Sequence, residues 1–226
     1  MIKQLLALLM LAASLGQGGV HTLVDQTNLG GTLYLVNRTY QLTQDYRPDD
    51  LVMPNVKRTS SEVLLRPEAA SALESLFNAA KVEGHTLVAI SGFRSYQTQR
   101  AIYQRKVSAT GSKQRAQLLV APAGTSEHQL GLAIDIGRKA STNLNASFGR
   151  SPEGQWVAAN AHEFGFIVRY KAEWTEITGY ADEPWHLRFV GVDHARAIVN
   201  RNEPLETYIQ SLANPLLQEV LARANN

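Results

Sequence analysis

Short apolar runs set between segments of helical period constrain the fold of this chain more than any other feature. Thr86–Ile90, Leu132–Ile136, Phe166–Tyr170 and Trp185–Val190 each have the length and composition of a strand, and Thr32–Tyr40 (TLYLVNRTY) adds a further stretch of strand propensity. Over Pro67–Gly84, Leu73, Leu76, Phe77 and Ala80 recur at three-and-four spacing, and Gly84 can end the helix. A second helix is expected from near Tyr96 toward Val107, followed by a turn-rich loop over Ser108–Lys113. Ser151 can cap a helix that ends near Gly165, with Pro152 at its first position, where a backbone donor would have no helical partner. Asp193–Val199 and Leu205–Leu212 also read as helical. Strands and helices mix without strict alternation, which suits a compact α+β domain.

The 226 residues support one such domain with a sizeable core. The chain opens MIKQLLALLMLAASLG, with Lys3 as its only charge there and an apolar run from Leu5 to Ala13. That run is shorter than the about 20 residues of a bilayer span, and fits the h-region of a secretory signal. Residues 1–19 are therefore expected to be a signal peptide or an N-terminal membrane anchor, 20–30 a linker, 31–212 the working domain and 213–226 a helical tail. With no second membrane segment, that domain is expected to be soluble and extracytoplasmic: secreted, periplasmic or wall-associated. Lys and Arg number 22 against 20 Asp and Glu, and a net charge of +2 spread along the chain excludes an overtly nucleic-acid-binding composition. There is no cysteine, hence no disulfide, thiolate zinc site or cysteine nucleophile. Nucleotide-binding glycine motifs and the G-x-S-x-G elbow are also missing.

Chemistry concentrates in two segments, Ser126-Glu127-His128-Gln129-Leu130-Gly131-Leu132-Ala133-Ile134-Asp135 and Glu183-Pro184-Trp185-His186. Imidazole nitrogens and a carboxylate are good zinc ligands, and three protein groups leave a fourth position for water. A loop bearing His128 that feeds a strand bearing Asp135 could bring both to one metal, with His186 entering from another strand. Spacing alone does not choose these three from the 6 histidines present. His162 reads as packing or solvated, His194 as a local hydrogen-bonding residue, His85 as a turn residue, and His21 belongs to the leader region.

Taken in order, further blocks give the pattern a family resemblance. Leu35–Tyr40 with Asp45-Tyr46 and Asp50-Leu51-Val52, Ser91-Gly92-Phe93-Arg94-Ser95-Tyr96 with Gln99, S-x-H-x-x-G-x-A-x-D over 126–135, Gly165-Phe166, and Thr178-Gly179-Tyr180 through Glu183-Pro184-Trp185-His186-Leu187-Arg188 resemble D-alanyl-D-alanine carboxypeptidases of the VanY type. These are zinc peptidases related to the VanX dipeptidases and, in fold, to the hedgehog signalling domain. The resemblance covers roughly residues 30–210. Phe93 and Phe189 stand where such enzymes often have Tyr.

The resemblance implies an α+β fold, a single compact domain with a small central antiparallel sheet flanked by helices. It implies one zinc ion per chain on His128, Asp135 and His186, with Glu183 as general base and Arg94 neutralising developing charge or holding a substrate carboxylate. Ser126, Tyr96 and Gln99 become candidate substrate-binding residues. Arg188, two residues beyond His186, shares its side of an ideal strand and is a candidate supporting residue. The implied activity is removal of the terminal D-alanine from peptidoglycan stem peptides or precursors ending in D-Ala-D-Ala. An L,D-carboxypeptidase acting on tetrapeptide stems is the alternative, and a silent wall-binding module a further one. A monomer is the default expectation.

Overall fold

β1 (Leu87–Ser91), β2 (Ala133–Arg138), β3 (Phe166–Tyr170) and β4 (Glu183–Phe189) form an antiparallel 4-stranded sheet in the order β1-β2-β4-β3. Each coincides, within a residue or two, with one of the apolar runs. The computed structural model describes residues 31–212, so the expected signal or anchor, the linker and the C-terminal tail lie outside the described residues. Val36–Pro204 forms one compact α+β unit; 31–35 groups with 205–212, a helical stretch, in another.

α1 (Pro67–Val82) buries Leu73, Leu76 and Ala80 completely, the stripe its periodicity predicts, and packs against β1. Removing each such leucine from water is worth about 1.5–3 kcal/mol. α2 (Tyr96–Thr110) starts where Ser95 Oγ accepts the Thr98 N–H. α4 (Pro152–Asn160) is capped by Ser151, whose Oγ accepts from Gly154 N–H at 3.1 Å, and runs on as a 3-10 turn, Ala161–Phe164, to Gly165. α5 (Thr175–Thr178) is a single turn, and α6 (Val192–Arg201) packs against β3.

Two local expectations are corrected. Thr32–Tyr40 is not a strand. The Asn37 side chain accepts the backbone N–H groups of Thr39 and Tyr40 at 2.9 and 3.1 Å, and Asn37 N–H donates to Tyr40 O, so the chain curls at Asn37 instead of extending. Nor is Ser108–Lys113 a loop. α2 continues to Thr110, Gly111 closes it at φ +65°, and Ser112 caps a further helix, α3 (Lys113–Leu119), by accepting the Arg115 N–H. α2 buries only Gln99 and α3 only Ala116, so neither carries the apolar stripe that would have announced it.

Candidate metal centre and catalytic cleft

Strand register brings the first two candidate ligands together. Asp135 on β2 is paired directly with His186 on β4. The third, His128, lies on a buried 3-10 turn, Glu127–Leu130, that leads into β2. Its ring is fixed from behind by Gly92, just past β1, whose carbonyl lies 2.7 Å from Nδ1. A carbonyl can only accept, so Nδ1 carries the proton and Nε2 presents its lone pair to the site. Gly92 has no substitute at this point, because a Cβ there would lie 2.3 Å from the Leu64 carbonyl oxygen that the chain passes. Gly131, at φ +70°, ends the 3-10 turn and redirects the chain into β2.

One donor atom from each of His128, Asp135 and His186 lies within 4.8 Å of the others, and all three residues are buried. His128 Nε2 is 3.3 Å from Asp135 Oδ2, and His186 Nδ1 is 3.1 Å from Asp135 Oδ1. Ligands about 2.0 Å from a tetrahedral zinc stand about 3.3 Å apart, a spacing each histidine nitrogen already keeps from an Asp135 oxygen. Among the described residues His128 Nε2 has no hydrogen-bond partner. Burial, reinforced by Arg94, pushes the His128 pKa down to about 4 and keeps the ring in the neutral, ligating form. Burial also opposes a charge on His186. Carboxylates face both its ring nitrogens, Asp135 at Nδ1 and Glu127 at Nε2, and together they push its pKa up to about 9. A metal cation among these donors would take the place of that proton.

Glu183 stands beside the donors without joining them. Its Oε2 is 3.9 Å from His186 Nδ1, and burial pushes its pKa up to about 7. Between Glu183 and His186 the pairing of β4 with β3 is irregular. β4 spends four steps, Leu187 to Glu183, where β3 spends two, Val168 to Tyr170, and the extra length lets Glu183 line the same cleft as His186. Arg94 Nη2 reaches Asp135 Oδ2 at 3.5 Å, and its buried Nε has no hydrogen-bond partner among the described residues. These groups line a cleft of about 330 Å³ with Ser126 and Gln99 on its wall and Leu119, Leu144 and Trp185 among its apolar lining. Gln99 Nε2 donates to Ala121 O at 2.7 Å, leaving a buried Oε1 without a partner among the described residues. Tyr96 is not among the cleft-lining residues. It is half-buried against the Gly124 loop, where a Cβ on Gly124 would come within 3.2 Å of its ring. His162 pairs with its neighbour Glu163 at 3.0 Å and takes no part in the donor set.

Two residues went unassigned in the sequence. Glu127, wholly buried, points Oε2 at His186 Nε2, 3.5 Å away, while Oε1 accepts from both Arg169 Nε and Arg188 Nη1 at 2.9 Å. Glu127 adjoins His128 inside the motif, and Arg169 is the one charge in the apolar run FIVRY; those were their signals. Arg188 does share the side of His186, as strand geometry predicted.

The family model for VanY, D-alanyl-D-alanine carboxypeptidase, matches residues 62–192. The chain belongs to this family. It is a family of hydrolytic enzymes, and the α+β fold with its small antiparallel sheet is shared with solved VanY-type and VanXY-type structures. Among curated relatives, a putative carboxypeptidase of Bacillus subtilis, YodJ, is 42% identical over 199 residues, 86% of this chain and 71% of that protein. The structure of the LD-carboxypeptidase LdcB, a study of peptidoglycan recognition, matches at 43% identity with a TM-score of 0.73, covering 79% of this chain and 86% of that one. A vancomycin-resistance D,D-pentapeptidase VanY in complex with Zn(II) matches at 34% identity with a TM-score of 0.66, covering 79% and 98%.

Proposed function

We propose that this VanY-family protein is a zinc carboxypeptidase that removes the C-terminal D-alanine from peptidoglycan stem peptides, outside the cytoplasmic membrane. The observation that carries the reading is the buried donor set His128, Asp135 and His186, with the Glu183 carboxylate 3.9 Å from His186 Nδ1 and the Arg94 guanidinium 3.5 Å from Asp135. When bound, zinc supplies Lewis acidity, lowering the pKa of a water to near 7 and polarising a carbonyl. Glu183 is beside that position with a carboxyl held near neutrality by burial, so it takes up a proton and returns it to the departing amine. Arg94 offers a planar fork to an anionic oxygen or to the substrate's terminal carboxylate, and Ser126 offers a hydroxyl on the cleft wall.

Stems ending in D-Ala-D-Ala are the first substrate, on the support of the VanY family match and of the D,D-pentapeptidase neighbour. The likeness to LdcB favours a second reading, L,D-cleavage of a tetrapeptide stem. The two differ in the stereochemistry of the residue before the scissile bond. Inverting that centre moves a side chain and an amide across the cleft, and even ~1.4 kcal/mol of lost transition-state contact is tenfold in rate. Incubation of zinc-loaded protein with both stems, followed by mass spectrometry, separates the readings. Faster loss of D-alanine from the pentapeptide is the expected result, and cleavage of the tetrapeptide alone transfers the assignment to L,D-carboxypeptidase. Binding to intact peptidoglycan with cleavage of neither stem overturns the enzyme reading in favour of a silent wall-binding module.

A further inference from the structure

Behind the metal ligands lies a charged cluster that the hydrolytic reading leaves without a task. Glu127, Arg169 and Arg188 come from three elements, the 3-10 turn, β3 and β4, and are 1%, 0% and 0% exposed. Both guanidiniums donate to the same carboxylate oxygen, Glu127 Oε1, at 2.9 Å. Among the described residues Oε2 is left buried without a hydrogen-bond partner and faces His186 Nε2, itself buried and unpartnered there, across 3.5 Å. A second path reaches the same imidazole. The Arg169 guanidinium lies 4.9 Å from the centre of the Tyr170 ring, and that ring packs at 5.0 Å against His186.

Desolvating three charges is steep, and apolar side chains of similar volume would commonly hold such a space as firmly or more so. Stability is therefore a poor account of the cluster, whereas its aim at one ring nitrogen is specific. We infer that Arg169, Glu127 and Arg188 form a positioning unit for His186. The two arginines pin Glu127, Glu127 holds the proton on His186 Nε2, and the lone pair of Nδ1 is thereby kept toward Asp135 and the metal position. Metal-bound histidines ordinarily donate their second N–H to such a partner, and losing it typically costs 10–100-fold in affinity. The two histidines would then be ligands of opposite tautomer, His128 through Nε2 against the Gly92 carbonyl and His186 through Nδ1 against a buried carboxylate. This inference rests on reading His128, Asp135 and His186 as a zinc site.

The test combines a measurement on the unaltered protein with two variants. Histidine nitrogen-15 NMR of the zinc-loaded wild type should show His186 bound through Nδ1 and protonated at Nε2; binding through Nε2 would overturn the inference without any mutation. Glu127→Gln removes the acceptor charge. The double variant Glu127→Gln, Arg188→Met removes one charge of each sign, so the cluster keeps its net charge. Chelator competition should show zinc held roughly 10–100-fold more weakly in either variant that folds, with a shifted cobalt(II) absorption spectrum at the same site. A merely structural role would lower the melting temperature of the metal-free protein and leave both the spectrum and the tautomer unmoved. Wild-type zinc affinity and an unchanged cobalt spectrum in a folded variant overturn the positioning role alone. Failure of the wild type to take up stoichiometric zinc overturns the metal reading, and this inference with it.

Discussion

Glu183 and His186 are three positions apart on one strand and are assigned opposite duties, which substitution can separate. Glu183→Gln keeps the shape of the side chain but removes its capacity to accept a proton. Zinc content and fold should persist while turnover falls by at least about 10²-fold; elemental analysis beside a D-alanine release assay checks both. Loss of zinc in this variant would instead place Glu183 among the ligands. His186→Ala should abolish most zinc uptake, because a site with three protein ligands cannot give up one imidazole cheaply. Equal zinc in this variant and the wild type would remove His186 from the donor set. At this scale the motifs singled out His128, Asp135, His186, Glu183 and Arg94 before any fold was known, and the fold brings all five to one cleft. They left Glu127 and Arg169 unassigned, because a carboxylate beside a histidine and one arginine in an apolar strand acquire meaning only when β3, β4 and the 3-10 turn meet.

The elements were legible where burial is one-sided. α1 shows its core stripe in sequence because six of its residues, Ala69, Ala70, Leu73, Leu76, Phe77 and Ala80, are buried. α3 buries one, and only the Gly111-Ser112 pair that stops α2 and caps α3 could have revealed it. The bulged start of β4 was hidden for another reason: a register irregularity is a property of two strands, and β4 alone does not encode it. The connection between ligands offers a sharper test. Gly131 turns the chain from His128 toward Asp135 at φ +70°, and a Cβ there would lie 2.8 Å from Leu51 Cδ2 and 3.1 Å from Arg66 Cγ. The left-handed backbone alone costs a side-chain-bearing residue about 1–2 kcal/mol. Gly131→Ala should therefore lower the melting temperature by roughly 2–8 °C, at about 2–4 °C per kcal/mol for a domain of this size, and weaken zinc binding as His128 shifts. An unchanged melting curve by calorimetry would show that this turn adapts freely.

At the scale of the whole molecule, the ordered motif blocks were enough to announce both the family and the α+β architecture, while the stereochemistry of the substrate was not readable. On the proposed reading the motif residues act at the scissile carbonyl and the terminal carboxylate, whereas the two candidate stems differ at the residue before the bond. The placement of the donors has a further thermodynamic consequence. His128 follows β1 and α3 in the chain, Asp135 lies on β2 and His186 on β4, so the three meet only when the sheet has formed. An unfolded chain offers no such set, and zinc should stabilise the native state by mass action alone. At free zinc 100-fold above the dissociation constant the gain is about 2.7 kcal/mol, which corresponds to roughly 5–11 °C in melting temperature. Removing zinc with a chelator should lower the melting temperature by that amount, and restoring the metal should recover it. His186→Ala should melt at the same temperature with and without zinc. A melting temperature indifferent to zinc in the wild type would mean that the ion, if it binds, does not join the strands that carry Asp135 and His186.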